Sequence, residues 1–307
     1  MSILRSVLLA GSENRWLRER ATKYQFVRRA VSRFMPGETF EEALEASRAL
    51  GVGTVLTQLG ENLASLEEAK EVARHYLTVL EKVHESKLDV EISVKPTQLG
   101  LDFSPEACFE NLRTLLERAR ALGNWVWVDM ESTAYTDNTL DIFRRARSAF
   151  PNTGLCVQSY LYRTAADLET LIPLGAGIRL VKGAYREPQE KAFPEKKDVD
   201  ENYFRLAQRL LSKEARDRGV RAIFGTHDPI LIGRIEEHAK SLGVPPGALE
   251  LQMLYGIRRQ EQLRVVKEGH RFRVLISYGA AWYPWYMRRL AERPANVLFV
   301  LRSLWAR

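Results

Sequence analysis

Short apolar runs alternate along this chain with longer stretches in which apolar residues recur every three or four positions. The runs GVGTVLTQLG (51–60), DVEISVKP (89–96), NWVWVDME (124–131), TGLCVQSY (153–160), GIRLVKGAY (177–185), VRAIFGTH (220–227), LELQMLYG (249–256) and RFRVLISYG (271–279) have the β-branched and aromatic content of strands. Between them SLEEAKEVARHYLTVLEKVHES, SPEACFENLRTLLERARALG and TDNTLDIFRRARSAF follow the helical period, with Ser65, Ser104 and either Asp137 or Asn138 as N-caps. Strict strand–helix alternation demands right-handed crossovers and a parallel sheet. Eight such units over roughly 240 residues fit a closed barrel better than an open sheet. The expected fold is therefore α/β, a (β/α)8 barrel.

Residues 1–46 precede the first strand and read as an N-terminal helical segment, with 47–307 as the barrel domain. The first of these helices is basic and amphipathic. It suits a cap packed on the barrel, or a patch that touches a membrane surface or a partner. Between the fifth and sixth strands, REPQEKAFPEKKDVD is a long charged connection, read as a binding loop or a solvated excursion.

Composition narrows the picture. With 307 residues, 45% of them hydrophobic, the chain can bury a large core. The net charge of +7 suits an anionic substrate, anionic lipid or nucleic acid, but Asp and Glu are scattered evenly among the helices. That scatter opposes the contiguous cationic stripe a nucleic-acid module needs, and no nucleic-acid partner is expected. Cys108 and Cys156 are too few for a disulfide framework and are expected as buried thiols in a reducing compartment. The N-terminal apolar run is too short for a signal peptide or a membrane span, so a cytoplasmic protein is expected. The five histidines have no metal-binding spacing, so no metal is predicted, and no GxGxxG phosphate loop is present.

In such barrels chemistry gathers at the C-terminal ends of the strands. Those ends are polar here: Lys95, Asp129, Gln158, Arg179 with Lys182, Thr226 with His227, and Gln252. Any one of them alone reads as a structural ion pair. Together at one mouth they would leave charges without partners unless a ligand answered them. Period-two reasoning puts Glu91, Ser93 and Lys95 on the lumen face and Val90, Ile92 and Val94 toward the helices. Arg179 and Lys182 have opposite parity. Either the strand ends before Lys182 and Gly183 turns the backbone close to a ligand, or one cation faces the helices.

The segment AAWYPWYMRRLAER (280–293) sets Arg288 and Arg289 beside apolar rings, with Glu292 at helical spacing from both. Taken alone it is a surface helix with a local salt bridge. Together with RLVKGAY (179–185), THD (226–228) and LQMLYG (251–256), however, it resembles proline dehydrogenase, the FAD-dependent enzyme that oxidises L-proline to Δ1-pyrroline-5-carboxylate. The resemblance spans over two hundred residues, from about the second strand to the C-terminal helix, with four motifs in order. It implies a distorted (β/α)8 barrel, FAD over the strand ends, and a last barrel helix lying over the active site.

Carried over residue by residue, the resemblance implies that Arg288 and Arg289 bind the proline carboxylate. Lys95 is then a third cation, Glu292 an ion-pair partner and Leu254 a wall of the substrate ring. Asp129, Met130, Gln158, Arg179, Val181, Lys182, Gly183, Ala184, Thr226, His227 and Gln252 match positions around FAD. Asp129 and Arg179 are the implied catalytic pair, with Arg179 near flavin N5 and Lys182 near the isoalloxazine or its ribityl chain. Two positions depart from the family pattern: Trp285 stands where a tyrosine is usual, and Leu275 where strand eight often has an aromatic. Tyr278 or Tyr283 is the expected replacement ring. The resemblance further implies a membrane quinone as electron acceptor, reached by peripheral contact at the inner face of the membrane. A competing reading from another reaction class is a Schiff-base aldolase using Lys95 or Lys182.

Overall fold

The computed structural model describes residues 31–60 and 63–283. Eight parallel strands close into a barrel in sequence order: β1 Gly53–Gln58, β2 Val90–Val94, β3 Val126–Val128, β4 Thr153–Gln158, β5 Gly177–Val181, β6 Arg221–Gly225, β7 Glu250–Leu254 and β8 Arg271–Tyr278. β8 pairs with β1 over six residues, Gly53 opposite Arg273 through Gln58 opposite Tyr278, so no edge strand remains. All eight expected strands form, each shorter than the run that predicts it.

The outer layer comprises α1 Phe40–Leu50, α2 Leu66–Ser86, α3 Pro105–Ala121, α4 Thr136–Ala149, α5 Thr164–Leu171, α6 Lys196–Leu211, α7 Lys213–Asp217, α8 Pro229–Ser241 and α9 Arg259–Lys267. Ser65 and Ser104 cap α2 and α3 by accepting from the backbone N–H of Glu68 and Ala107. α4 differs from expectation: its N-cap is Tyr135, which makes no side-chain cap, and Asp137 lies in the first turn, where its charge suits the helix dipole. Thr39 and Glu42 form a capping box at the start of α1, and that helix runs unbroken to Leu50. It therefore crosses the expected 46/47 boundary. The last third of the charged connection after β5 is likewise helical, because α6 already begins at Lys196.

The main core lies between strands and helices, with Ile92, Val94, Leu155, Ile178, Leu180, Phe224, Leu251, Val274 and Ile276 facing outward. Inside the barrel a smaller cluster of Val55, Trp127 and Ile223 packs with Trp125 and Leu275. The Trp127 ring enters the lumen because the neighbouring strands have no side chain to meet it. A Cβ at Gly154 would lie 2.3 Å from that ring, and one at Gly177 would lie 2.8 Å from Trp125. At the N-terminal end Arg221 pairs with Glu91 and Glu250 at 2.8 Å, and Arg273 pairs with Glu250 at 3.2 Å and Asp89 at 2.7 Å. Burial opposes the charge on Arg221, but Glu250 and Glu91 outweigh it and hold its pKa above the ordinary value. Both cysteines are buried free thiols. Among the described residues no helix is long and apolar enough to cross a membrane.

Candidate active site

The opposite end of the lumen brings together most of the polar strand ends. Arg179, at the middle of β5, is 2% exposed and makes an ion pair with Asp129, which directly follows β3. Its Nη2 also donates to Ser93 Oγ at 2.9 Å, and Ser93 Oγ donates to Asp129 Oδ1 at 2.9 Å. The guanidinium lies 5.5 Å from the Trp127 ring centre. Burial alone would lower the Arg179 pKa, but Asp129, the Cys156 thiol and Glu91 outweigh it, so the group is held charged.

Gln158 ends β4, and its Nε2 donates to the carbonyls of Met130 at 3.1 Å and Glu131 at 3.3 Å. Gln252, opposite Gly225 in the β6–β7 register, is 3% exposed. The Leu254 N–H donates to His227 Nε2 at 2.8 Å, which leaves the ring proton on Nδ1. Thr226 Oγ1 accepts from the Asp228 N–H, and Asp228 in turn caps α8 through the Ile230 N–H.

The parity conflict on β5 resolves because the strand ends before Lys182 and that cation turns away from the lumen. The strand ends at Val181, and Lys182 turns to Asp200 on α6 at 2.5 Å and Asp228 at 3.0 Å. Burial would raise the Asp228 pKa, but the bond to Lys182 outweighs it and the carboxyl is held below its ordinary value. Gly183 has φ +114°, and a Cβ there would lie 2.2 Å from the Tyr160 ring. The close approach that requires this glycine is thus to Tyr160.

Lys95 follows β2 with 9% exposure, and no counter-charge meets it among the described residues. The turn beyond it is held by Glu131, which accepts from the N–H of Thr97 at 3.0 Å and from its hydroxyl at 2.8 Å. Leu254 and Leu275 have lumen parity and are partly exposed.

Tyr278 does not join this site. It shares the outward parity of Val274 and Ile276 and packs between Phe40 of α1 and His75 of α2, its hydroxyl 2.8 Å from His75 Nε2. At 1% exposure it is a core residue. Tyr283 is also buried, 6.2 Å from Trp282 between ring centres. Arg288, Arg289 and Glu292 lie outside the described residues, as do residues 11–30 of the stretch expected as the basic helix.

Among the described residues, the buried polar atoms at the mouth that have no hydrogen-bond partner include Arg179 Nη1, Gln158 Oε1, Gln252 Nε2 and Gln252 Oε1. Donors and acceptors left unpaired in one place are costly unless a polar ligand answers them. The set suits a planar heterocycle whose edge offers both kinds of group, as the flavin ring does. Elsewhere, Glu236, Glu268 and His270 come within reach of one another on the outer face, where the Arg264 guanidinium pairs with both carboxylates.

Comparison with known proteins gives this geometry its context. The family model described as proline dehydrogenase matches residues 40–302. The chain belongs to the proline dehydrogenase family. Among members of that family, proline dehydrogenase 1 of Bacillus subtilis strain 168 is 36% identical over 305 residues, covering 98% of this chain and 99% of that protein. The proline dehydrogenase of Deinococcus radiodurans is 35% identical over 282 residues, covering 89% of each. In fold the chain is similar to proline utilization A from Bdellovibrio bacteriovorus inactivated by N-propargylglycine, with a TM-score of 0.78 and 24% identity. That match covers 94% of this chain and 36% of the longer protein. Family membership agrees with the barrel and makes the chain an enzyme of the proline dehydrogenase class. Ser93, Trp127 and Glu131 complete the site, and none of them stands out in the sequence by type alone.

Proposed function

We propose that this enzyme oxidises L-proline to Δ1-pyrroline-5-carboxylate with FAD over the strand ends, the first step of proline breakdown to glutamate. The observation that carries the FAD assignment is the group of buried polar atoms on Arg179, Gln158 and Gln252 at one barrel mouth that find no partner among the described residues. FAD held there would supply the two-electron acceptor for the hydride that leaves proline C5.

Arg179, held charged by Asp129, provides a fixed positive group that favours the anionic reduced ring. Gln158, Thr226, His227 and Gln252 hold the cofactor, with Met130, Val181, Lys182, Gly183 and Ala184 around it. The Lys95 ammonium, lacking a counter-charge among the described residues, is one part of a cationic clamp for the substrate carboxylate. Arg288 and Arg289 form the rest of it, with Glu292 as their ion-pair partner. Two planar forks fix the orientation of the ring as well as its charge. Leu254 and Leu275 wall the ring and keep water from the transfer. Holding the donor carbon against the acceptor supplies much of the barrier reduction.

The acceptor for the stored electrons is a membrane quinone, met by peripheral contact of the basic N-terminal segment at the cytoplasmic face. A Schiff-base aldolase using Lys95 or Lys182 is the weaker reading, because the chain belongs to the proline dehydrogenase family and Lys182 is tied to two carboxylates. The clamp is tested by Arg288→Met and Arg289→Met. Each should raise the proline KM by roughly ten- to a hundredfold while flavin stays bound, given the worth of a charge-assisted bond. Near-normal KM in both variants would refute it.

A further inference from the structure

Ser93 belongs to neither the substrate set nor the cofactor set, yet its hydroxyl bonds to both members of the Arg179–Asp129 pair. Its position on β2 is fixed twice. The strand ladder holds it opposite Trp127, and the Tyr76 hydroxyl of α2 donates to the Ser93 carbonyl at 2.9 Å while accepting from the Gln58 N–H at 2.8 Å. The hydroxyl is fully buried and 3.4 Å from the Trp127 carbonyl, a longer contact that competes poorly with Asp129.

The direction of these bonds cannot reverse. A guanidinium has no acceptor and an ionised carboxylate has no donor, so Ser93 must accept from Arg179 and give its one proton to Asp129. Arg179, Asp129 and Ser93 thus form a closed triangle of three bonds. It occupies Nη2 and leaves Nη1 as the spare buried donor. Without the hydroxyl, Arg179 and Asp129 keep each other but lose the third corner that sets their angle.

We propose that Ser93 is a positioning residue for the oxidation. Its hydroxyl, anchored on the barrel wall, sets the orientation in which Arg179 meets the flavin and Asp129 meets Arg179. The inference rests on the flavin reading above and concerns the cofactor side of the site, whereas the carboxylate clamp lies on other residues. Loss of the hydroxyl should therefore change the electronics of the cofactor and spare substrate binding.

The test compares wild type, Ser93→Ala and Ser93→Thr, the last of which keeps the hydroxyl. Ser93→Ala should lower the midpoint potential of bound FAD by about 30 mV or more, a tenfold loss in preference for the reduced form. Its kcat should fall roughly ten- to a hundredfold, with proline KM within about threefold of wild type, because the bond lost is to charged groups. Ser93→Thr should recover most of both. If Ser93→Ala melts too early to measure, Ser93→Cys fills the same space with a weak donor and should show the same fall in potential. An unchanged potential and kcat in a well-folded Ser93→Ala protein would overturn the proposal. A wild-type protein that binds no flavin would instead remove the reading beneath it, and Ser93 would then be a structural bridge only.

Discussion

At the scale of single residues, Gln252 makes the most specific statement about what the mouth is for. A buried amide with neither atom bonded among the described residues destabilises a protein that has nothing to put there. Gln252→Leu, close in volume, should therefore raise the melting temperature of flavin-free protein and weaken FAD affinity by roughly tenfold or more. A flavin titration beside a thermal melt reads both, and a variant with lower stability and unchanged affinity would mean that Gln252 is structural. Much at this scale was legible in the sequence. Alternation along β2 places Glu91 and Ser93 in the lumen, where both are found bonded to lumen groups. The same alternation along β8 sends Leu275 inward and Tyr278 outward, so the assignment of Tyr278 to the substrate pocket fails on a rule the sequence itself supplies. Trp127 was not legible in this way, because the space for its ring comes from Gly154 and Gly177 on other strands and depends on register.

At the scale of elements, the two ends of the barrel divide the work. The N-terminal end is closed by Glu91, Arg221, Glu250 and Arg273, with Trp127 Nε1 donating to Glu91 at 2.7 Å. Every charge there has a partner, in contrast to the orphaned atoms at the mouth. Glu91→Gln should cost about 3–5 kcal/mol in unfolding free energy, since it leaves buried arginines undercompensated. Chemical denaturation measures this, and the folded variant should retain flavin binding; a loss under about 1 kcal/mol would show that the network is dispensable. The helices were legible from their caps where a serine stands before the acidic first turn, as at Ser65 and Ser104. The start of α4 was not, since Tyr135 offers no capping side chain and the helix begins without that signal. Nor was the early start of α6, where charged residues hide one and a half turns of helix inside what reads as loop.

At the scale of the whole molecule, the barrel was legible because the hydrophobic period changes from two to 3.6 and back for each of its strands, and few architectures take eight such units in parallel. The boundary near residue 46 was less so, because α1 continues across it to pack on β8 and β1. What the sequence could not supply was the convergence itself. Asp129 and Arg179 are fifty residues apart, and Ser93 and Arg179 eighty-six, yet closure of the barrel puts them in one triangle. That convergence gathers scattered strand-end charges at one mouth, where the proposed reading would set Arg179 toward a flavin and Lys95 toward a carboxylate. The most direct test is to purify the protein, record its visible spectrum and add L-proline without oxygen. The expected result is a yellow protein whose flavin band bleaches on addition of proline, with Δ1-pyrroline-5-carboxylate formed in step. A colourless protein that takes up no FAD, or a flavin band that proline leaves intact, would contradict it.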